Sequence, residues 1–369
     1  MTRAQANAVI SSSHAPEYVA VERGLAEFRA GRAVLFAAEN AALAIPVDGP
    51  DARQLQLFEQ VWAARPPWLT LTRRRAHALG IEADHPVALY LNGSENLDTV
   101  LSLALDPSPK HRFNCISAGP AAGAAIALAK LAGRLPALLM ADVELARLAG
   151  AEVPVIVKTE TVAEFRRYLA ESLRIVASSA VPFEGGAVGR VVVFRDTIGS
   201  SPTAIIIGEP DLSTPVLVRL HSACLTGDVF GSRRCDCGDQ LKLAMSRMSE
   251  VGGIILYLEQ EGRGLGLANK MRAYKLQDSG LDTVDANLTL GFEDDERDYQ
   301  VGAKMLQLLG CREVVLLTNN PTKLEALSQA GIKICATRSL EAPIRPENRR
   351  YLLTMARRAG HRLDHLSST

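Results

Sequence analysis

The chain has 369 residues, with 41 basic and 41 acidic side chains and a formal net charge of zero. This balance excludes the broad basic surface of a nucleic-acid or membrane-surface binder, so any anion site has to be local. The length indicates two domains, and the six cysteines lack the dense, regular spacing of a secreted disulfide framework.

Residues 1–13 lack the apolar segment of a secretory signal, and the sequence has no run of about 20 apolar residues to span a membrane. We therefore expect a cytoplasmic protein with no membrane partner and no nucleic-acid partner.

The first half of the chain alternates helical and strand patterns. Helices are predicted at residues 19–30, 51–64 and 119–131, the last of them rich in alanine. Strands are predicted at residues 33–37, 68–72, 87–91 and 137–140. This alternation predicts an α/β (α+β) fold in which each of two domains is a mixed sheet layered with helices.

The glycine-rich segment 184–190 is the predicted linker, because its three glycines interrupt the periodicity. It divides the chain into predicted domains of residues 1–183 and 184–369. Beyond the linker, strands are predicted at residues 191–194, 203–207 and 216–220.

The last of these strands runs into a segment with three of the six cysteines, Cys224, Cys235 and Cys237, spaced C-x10-C-x-C. Thiolates suit Zn(II), and three protein ligands leave one tetrahedral position open, as in catalytic zinc sites. The alternative is a group of structural thiols in a reduced core. The cysteines without a motif are predicted to be buried thiols: Cys115, Cys311 and Cys335.

Two further motifs carry charge. A glycine-rich turn at residues 260–266 follows a predicted strand and precedes a helix that runs to about residue 278. Its backbone N–H groups suit phosphate and Arg263 adds a charged fork, although the pattern also occurs in ordinary turns. Asp295 and Arg297, two apart in an extended segment, either face one ligand together or form a surface ion pair.

From residue 215 onward the chain closely resembles the GTP cyclohydrolase II family. The matching motifs lie at residues 221–228, 234–238, 260–267, 269–274, 277–278, 282–287, 291–292, 295–298 and 318–323. The resemblance implies one zinc ion per chain on Cys224, Cys235 and Cys237, with a zinc-bound water that attacks C8 of guanine.

The resemblance also implies roles for individual residues. Tyr274 is implied as a catalytic tyrosine beside the zinc, although a helical tyrosine is also commonly half-buried core. Asp295 is implied as proton acceptor and Arg297 as nucleophile toward the α-phosphate, and stabilisation of the departing phosphate suits an arginine equally well. The family commonly has Glu at the position of Ala223. The implied GTP contacts are Arg219, Leu220, His221, Ser222, Ala223, Gln240, Glu261, Gly262, Arg263, Thr283, Thr318 and Lys323.

These roles imply a zinc-dependent GTP cyclohydrolase II. It would hydrolyse GTP to 2,5-diamino-6-ribosylamino-4(3H)-pyrimidinone 5′-phosphate, formate and pyrophosphate, the first step of riboflavin biosynthesis. Mg²⁺ is implied with the triphosphate, since hard cations bind phosphate oxygens, and a homodimer is the expected assembly. The alternatives are a non-catalytic nucleotide-binding homologue and a cyclohydrolase with a different product.

The first half resembles the 3,4-dihydroxy-2-butanone 4-phosphate synthase family, through residues 31–36, 71–80 and 119–133. That family holds Mg²⁺ and a sugar phosphate with an acidic loop, whereas residues 36–45 contain one acid here. Pro120 stands where the family has its catalytic histidine. We therefore predict an inactive synthase-like domain, with a bifunctional enzyme as the alternative.

Overall fold

The computed structural model describes residues 15–38, 41–51, 67–91, 97–107, 115–143, 154–183, 188–360 and Leu363. The chain forms two units. The first contains the described residues up to Phe165 and a segment from later in the chain, Leu288–Glu293. The second contains Arg166–Asn287 and the described residues from Asp294 onward.

The first unit contains a seven-stranded sheet with the order β5-β4-β3-β6-β2-β1-β7. Strands β1 and β7 are parallel, and the other neighbours are antiparallel. The strands are β1 (Val34–Ala37), β2 (Ala42–Pro46), β3 (Trp68–Leu71), β4 (Val87–Tyr90), β5 (Cys115–Ser117), β6 (Ala137–Asp142) and β7 (Ile156–Lys158). The helices are α1 (Pro16–Arg29), α2 (Arg73–Ala78), α3 (Leu97–Leu105), α4 (Pro120–Leu131) and α5 (Thr159–Ser172), which contains the division between the units.

Helix α1 shows how the sequence determines these elements. Proline at its first position, Pro16, fits there because the first turn leaves N–H groups without helical partners. Its buried residues Val21, Leu25 and Phe28 recur at helical spacing, and the helix packs against α4 and β7. The structure confirms the predicted helices at α1 and α4 and the predicted strands at β1, β3, β4 and β6.

Several sequence-based expectations need correction or lie outside the described residues. The predicted helix at residues 51–64 lies outside them, apart from Asp51. Strand β2 was not predicted, because all five of its residues are buried and no alternation marks it. Cys115 and Cys335 are exposed, so the prediction of buried thiols is wrong for them and right for Cys311. Both exposed cysteines lie on strands at a sheet edge, where side chains face solvent.

The second unit contains a seven-stranded sheet with the order β14-β13-β11-β12-β10-β9-β8. Strands β12, β11, β13 and β14 are mutually parallel, and the remaining neighbours are antiparallel. The strands are β8 (Arg174–Pro182), β9 (Val188–Arg195), β10 (Thr203–Ile207), β11 (Val216–Ser222), β12 (Gly253–Leu258), β13 (Glu313–Leu317) and β14 (Lys333–Arg338). The helices are α6 (Cys237–Val251), α7 (Leu267–Asp278), α8 (Thr283–Thr289), α9 (Gln300–Leu308), α10 (Pro321–Gln329) and α11 (Pro346–Arg358).

Residues 184–187 of the predicted linker lie outside the described residues, and its last three residues, 188–190, belong to β9. Strands β8 and β9 are antiparallel neighbours, with Pro182 opposite Val188. The units divide between Phe165 and Arg166, before the predicted domain boundary. Sequence periodicity gave no sign of β8, because it is an edge strand with eight of its nine residues exposed.

The segment Leu288–Glu293, here termed the anchored segment, is held by side chains around α2. Thr72 Oγ1 donates to the carbonyl of Gly291 over 2.8 Å, and Arg75 Nη1 donates to that of Thr289 over 2.9 Å. Arg75 is 1% exposed, and its other donors bond carbonyl oxygens at the carboxyl end of α3 and at Asp106. Burial lowers the pKa of Arg75 to about 10, which still leaves it charged at neutral pH.

Within the described ranges, the helices are all too short or too polar to cross a lipid bilayer.

Candidate active site

The candidate site lies at the carboxyl ends of three neighbouring parallel strands. Cys224 follows β11, the glycine-rich turn Glu261–Gly264 follows β12, and Thr318 follows β13. Parallel strands present their carboxyl ends at one edge, and ligands bind α/β sheets in crevices there. The order of the strands therefore brings together three motifs that are up to about 100 residues apart in the sequence.

Cys224, Cys235 and Cys237 form a cluster in which the three sulfur atoms all lie within 4.8 Å of one another. The Sγ atoms of Cys224 and Cys235 are 3.7 Å apart. Tetrahedral Zn–S bonds of about 2.3 Å place two sulfurs about 3.8 Å apart, so the spacing fits a three-thiolate zinc site. Cys224 and Cys235 are buried, and Cys237 begins α6.

Two glycines allow this approach of the three cysteines. A Cβ atom on Gly227 would lie 3.0 Å from the sulfurs of both Cys224 and Cys235, and one on Gly238 would lie 2.3 Å from the carbonyl oxygen of Gly227. The π-helical turn at Leu225–Val229 places Gly227 directly against the sulfurs. A larger residue at either position would displace the turn or a ligand.

Lys270 is a site residue to which sequence reasoning gave no role. Its Nζ donates to Cys224 Sγ over 3.1 Å, to Thr226 Oγ1 over 2.9 Å and to Glu261 Oε1 over 2.7 Å. Hydrogen bonds from the Cys235 and Cys237 thiols, together with this ammonium, hold the pKa of Cys224 well below its usual range. Helical spacing could have indicated that Lys270 lies at the site, because it precedes Tyr274 by one turn on α7.

Asp228 holds His221 in place and also stabilises the loop that begins at Cys224. His221 Nε2 lies 3.1 Å from both carboxylate oxygens of Asp228, and Asp228 also accepts from the Cys224 N–H and the Tyr257 hydroxyl. The His221 and Tyr257 rings stack with centroids 5.5 Å apart. Burial lowers the pKa of His221, so the imidazole is neutral at pH 7 and positions the loop.

The glycine-rich turn has unusual backbone geometry. Gly262 and Arg263 have positive φ angles of 62° and 60°. Among the described residues, Arg263 is the one residue other than glycine with a positive φ. Such backbone strain is characteristic of functional sites. Arg263 Nη2 donates to Asp294 over 3.1 Å and lies 3.5 Å from Asp295, so the turn directs its charge toward Asp294 and Asp295.

Asp295 and Arg297 form a two-bond ion pair that is largely buried. Arg297 Nε donates to Asp295 Oδ1 over 2.8 Å and Nη2 donates to Oδ2 over 2.5 Å, and the side chains are 11% and 17% exposed for Arg297 and Asp295. Burial alone would raise the pKa of Asp295, but the hydrogen bonds from Arg297 outweigh it and the pKa is lowered. The pair is therefore not the exposed surface pair that the sequence left open.

A cavity lined by cations lies beside this pair. Arg219 donates to the carbonyl of Leu317 over 3.0 Å and also bonds Gln240, while Lys323 Nζ donates to the carbonyl of Leu220 over 2.7 Å. Burial lowers the pKa of both cations, for Arg219 to about 10. The predicted residues that line this cationic cavity are Arg219, His221, Ser222, Cys237, Gln240, Arg263, Arg297, Thr318 and Lys323.

A second cavity, the thiol cavity, contains the three cysteines and Tyr274. The Arg234 guanidinium lies 4.3 Å from the centre of the Tyr274 ring. Burial raises the pKa of Tyr274 to about 12, so the hydroxyl stays protonated at neutral pH. The predicted residues that line this cavity are Ser222, Ala223, Cys224, Cys235, Cys237, Glu261, Gly262, Arg263, Tyr274, Thr283 and Arg297.

Two predicted residues line neither cavity. Leu220 packs its side chain into the hydrophobic core and contributes its carbonyl to Lys323, and Asp295 lies behind Arg297 as its partner. Conversely, Tyr351 and Met355 of α11 line the cationic cavity although no motif marked them. Their helix is more than 40 residues beyond Arg297 in the sequence, and only packing brings it to the site.

Known proteins with similar sequences match the part of the chain that contains the site, and some of them match over 93% of the chain. The GTP cyclohydrolase II family model matches residues 174–339. GTP cyclohydrolase-2 of Azospirillum brasilense is 39% identical over 93% of this chain and 93% of its own length. GTP cyclohydrolase-2 of Xylella fastidiosa (strain 9a5c) is 37% identical over 93% of this chain and 87% of its own.

Two further similarities are more limited. The riboflavin biosynthesis protein RibBA of Thermotoga maritima is 47% identical over 52% of this chain and 48% of its own length. A solved two-domain 3,4-dihydroxy-2-butanone 4-phosphate synthase from A. baumannii aligns over 88% of this chain and 99% of that chain, with a TM-score of 0.32 and 17% identity. At that score and identity, the structural similarity is too weak to assign a function.

Proposed function

The chain belongs to the GTP cyclohydrolase II family, and we propose that it hydrolyses GTP with zinc at the three-thiol cluster. The proposed products are formate, pyrophosphate and 2,5-diamino-6-ribosylamino-4(3H)-pyrimidinone 5′-phosphate, at the entry to riboflavin biosynthesis. Mg²⁺ on the triphosphate, a homodimeric assembly and a cytoplasmic location are parts of the same proposal.

The observation that supports it best is that the thiol cavity and the cationic cavity share walls. Ser222, Cys237, Arg263 and Arg297 line both of them. GTP needs such a site, because its purine ring has to reach the metal while its phosphates need cations. A zinc ion held by the three thiolates would supply an activated water at neutral pH.

The side chains of the site then form two sets, one that serves the guanine ring and one that serves the phosphates. At the ring, the protonated Tyr274 hydroxyl can orient water or a ring nitrogen, and Lys270 offsets the charge of the Cys224 thiolate. At the phosphates, Arg219, Arg263 and Arg297 provide positive charge in a largely buried setting, where each interaction is stronger than in water, and Lys323 adds a hydrogen-bond donor. Arg297 stays protonated beside Asp295, which favours stabilisation of the departing pyrophosphate over nucleophilic attack.

The first unit is proposed to be catalytically inactive. A cavity beside the start of α4 is lined by small and aromatic residues such as Ala42, Trp68 and Pro120, and Asp142 is the one carboxylate among its described lining residues. A sugar phosphate with Mg²⁺ needs several oxygen ligands and a cation for the phosphate. The described walls do not provide that set.

The test is to incubate the purified zinc-loaded protein with GTP and Mg²⁺ and to quantify formate and pyrophosphate separately. We expect both products in equal amounts from GTP and neither from ATP, with metal analysis giving one zinc per chain. Zinc at full occupancy without formate would contradict the proposal. Pyrophosphate without formate would instead indicate a different product.

A further inference from the structure

Helix α11 begins at Pro346, after the last residue matched by the family model, and yet it forms a wall of the candidate site. We infer that Tyr351 on this helix contacts the nucleotide between its base and its phosphates, and so contributes to substrate recognition. This inference rests on the proposed function and adds a binding residue to it.

The position of Tyr351 identifies the part of the nucleotide that it faces. It is one of the residues that line both the cationic cavity and the thiol cavity, together with Arg263 and Arg297. In GTP, the ribose and the α-phosphate connect the base to the outer phosphates. A nucleotide with its base at the thiols and its outer phosphates at Lys323 therefore presents the ribose or α-phosphate to Tyr351.

Contacts along its length hold α11 against the site. Arg345 pairs with Asp239 just before the helix, and Arg358 in the last turn donates to Asp282 and Asp285 over 2.7 Å each. Between these ends, Met355 Sδ lies 2.8 Å from Nη1 of Arg263. The helix therefore also contacts the arginine of the strained turn.

The chemistry of the side chain suits this role. Burial raises the pKa of Tyr351, so its phenol remains a neutral donor throughout the physiological range. A neutral donor beside Arg263 and Arg297 can bond a ribose hydroxyl or a phosphate oxygen without adding charge to the cavity. The side chain is half-buried, as expected for a group that faces an open cavity.

The experiment compares the full chain with Tyr351→Phe, Tyr351→Ala and a control, Arg357→Gln, which changes an exposed residue on the same helix. Formate release gives KM and kcat, and calorimetry measures the affinity for the α,β-methylene analogue of GTP, which cannot release pyrophosphate, with formate assayed in the same samples to verify that its ring stays closed. We expect Tyr351→Phe to raise KM and weaken analogue binding about tenfold, the usual effect of losing one hydrogen bond to a ligand. Tyr351→Ala should lose more, and zinc content should stay at the wild-type value in all variants.

A second measurement guards against simple unfolding of the helix. In the wild-type protein, the analogue should slow tryptic cleavage at the arginines of α11, and Tyr351→Phe should lose that protection at the same analogue concentration. Wild-type KM and analogue affinity in both tyrosine variants would overturn this inference alone. Absence of formate release and analogue binding in the zinc-loaded wild-type protein would overturn the proposed function, and this inference with it.

Discussion

Cys235 offers one sulfur to the thiol cluster, and replacing that sulfur with oxygen tests the proposed zinc site directly. Cys235→Ser should lose zinc and formate release, because a neutral hydroxyl is a poor substitute for a thiolate ligand. Metal analysis after dialysis measures the loss. Cys335→Ser changes an exposed thiol on an edge strand and is the matched control. Full zinc occupancy in Cys235→Ser would disprove the assignment of the ligands.

Tyr274 and Arg297 should separate the two reactions in the pocket. Arg297→Ala should leave zinc bound while pyrophosphate release and overall turnover fall about 10²–10³-fold, because a buried cation that stabilises developing charge is lost. Tyr274→Phe removes the hydroxyl and should lower formate release about 10²-fold while GTP still binds. Stopped assays for each product measure both variants.

The control for Arg297→Ala is Arg195→Ala, which removes an exposed arginine from β9. Formate release at the wild-type rate by Tyr274→Phe would show that the tyrosine is only part of the core. Normal pyrophosphate release by Arg297→Ala would assign the phosphate chemistry to another residue.

At the scale of elements, α7 and the glycine-rich turn act together through the ion pair of Lys270 and Glu261. Lys270→Met should weaken zinc binding about 10–100-fold, because the proposed ligand Cys224 would lose the ammonium that donates to its sulfur. It should also destabilise the fold, because the Glu261 carboxylate, with its side chain 15% exposed, would lose this ion-pair partner. Chelator competition and urea unfolding measure the two effects.

The double variant Lys270→Met/Glu261→Gln completes this test. It should recover part of the stability, with a coupling of about 0.5–3 kcal/mol between the two sites. Lys275→Met changes an exposed lysine on the same helix and should behave as the wild-type protein does. Additive losses in the double variant would show that the pair does not act as a unit.

Some features of the site follow from local sequence patterns, and others depend on tertiary packing. The thiol spacing and the apolar strands β11 and β12 are local patterns, so the cysteine cluster and its place after a strand could be predicted. The contact between His221 and Asp228 depends on the backbone path of the turn at Leu225–Val229. The spacing of apolar residues along the sequence does not predict that path. Tyr351 reaches the site by tertiary packing of α11, which no local pattern predicts.

At the scale of the whole molecule, the first unit is expected to have no synthase activity. Ribulose 5-phosphate and Mg²⁺ should give neither formate nor a butanone phosphate, since the described cavity walls contain one carboxylate and Pro120 replaces the expected histidine. Analysis of the products by NMR spectroscopy gives the result. The same preparation releasing formate from GTP is the positive control, and a four-carbon phosphate product would establish a bifunctional enzyme.

Arg75 should carry much of the stability of the first unit. Arg75→Met should cost on the order of 3 kcal/mol, because several buried carbonyl oxygens, including that of Thr289, would lose their donor. Both tryptophans, at positions 62 and 68, precede Phe165, so urea unfolding followed by tryptophan fluorescence reports on this unit. Arg73→Gln, which removes an exposed ion pair, should cost less than about 1 kcal/mol. Equal unfolding midpoints for the two variants would contradict this role.

The anchored segment also has a consequence for the order in which the protein can be made. Ribosomal synthesis proceeds from the amino terminus, and domains commonly fold as soon as their sequence has emerged. Thr72 and Arg75 cannot form their hydrogen bonds to Gly291 and Thr289 until more than 200 further residues have been translated. Until then, the Arg75 guanidinium of the nascent first unit lacks one of its final hydrogen-bond partners. A gene truncated after codon 183 would encode a first unit without the anchored segment.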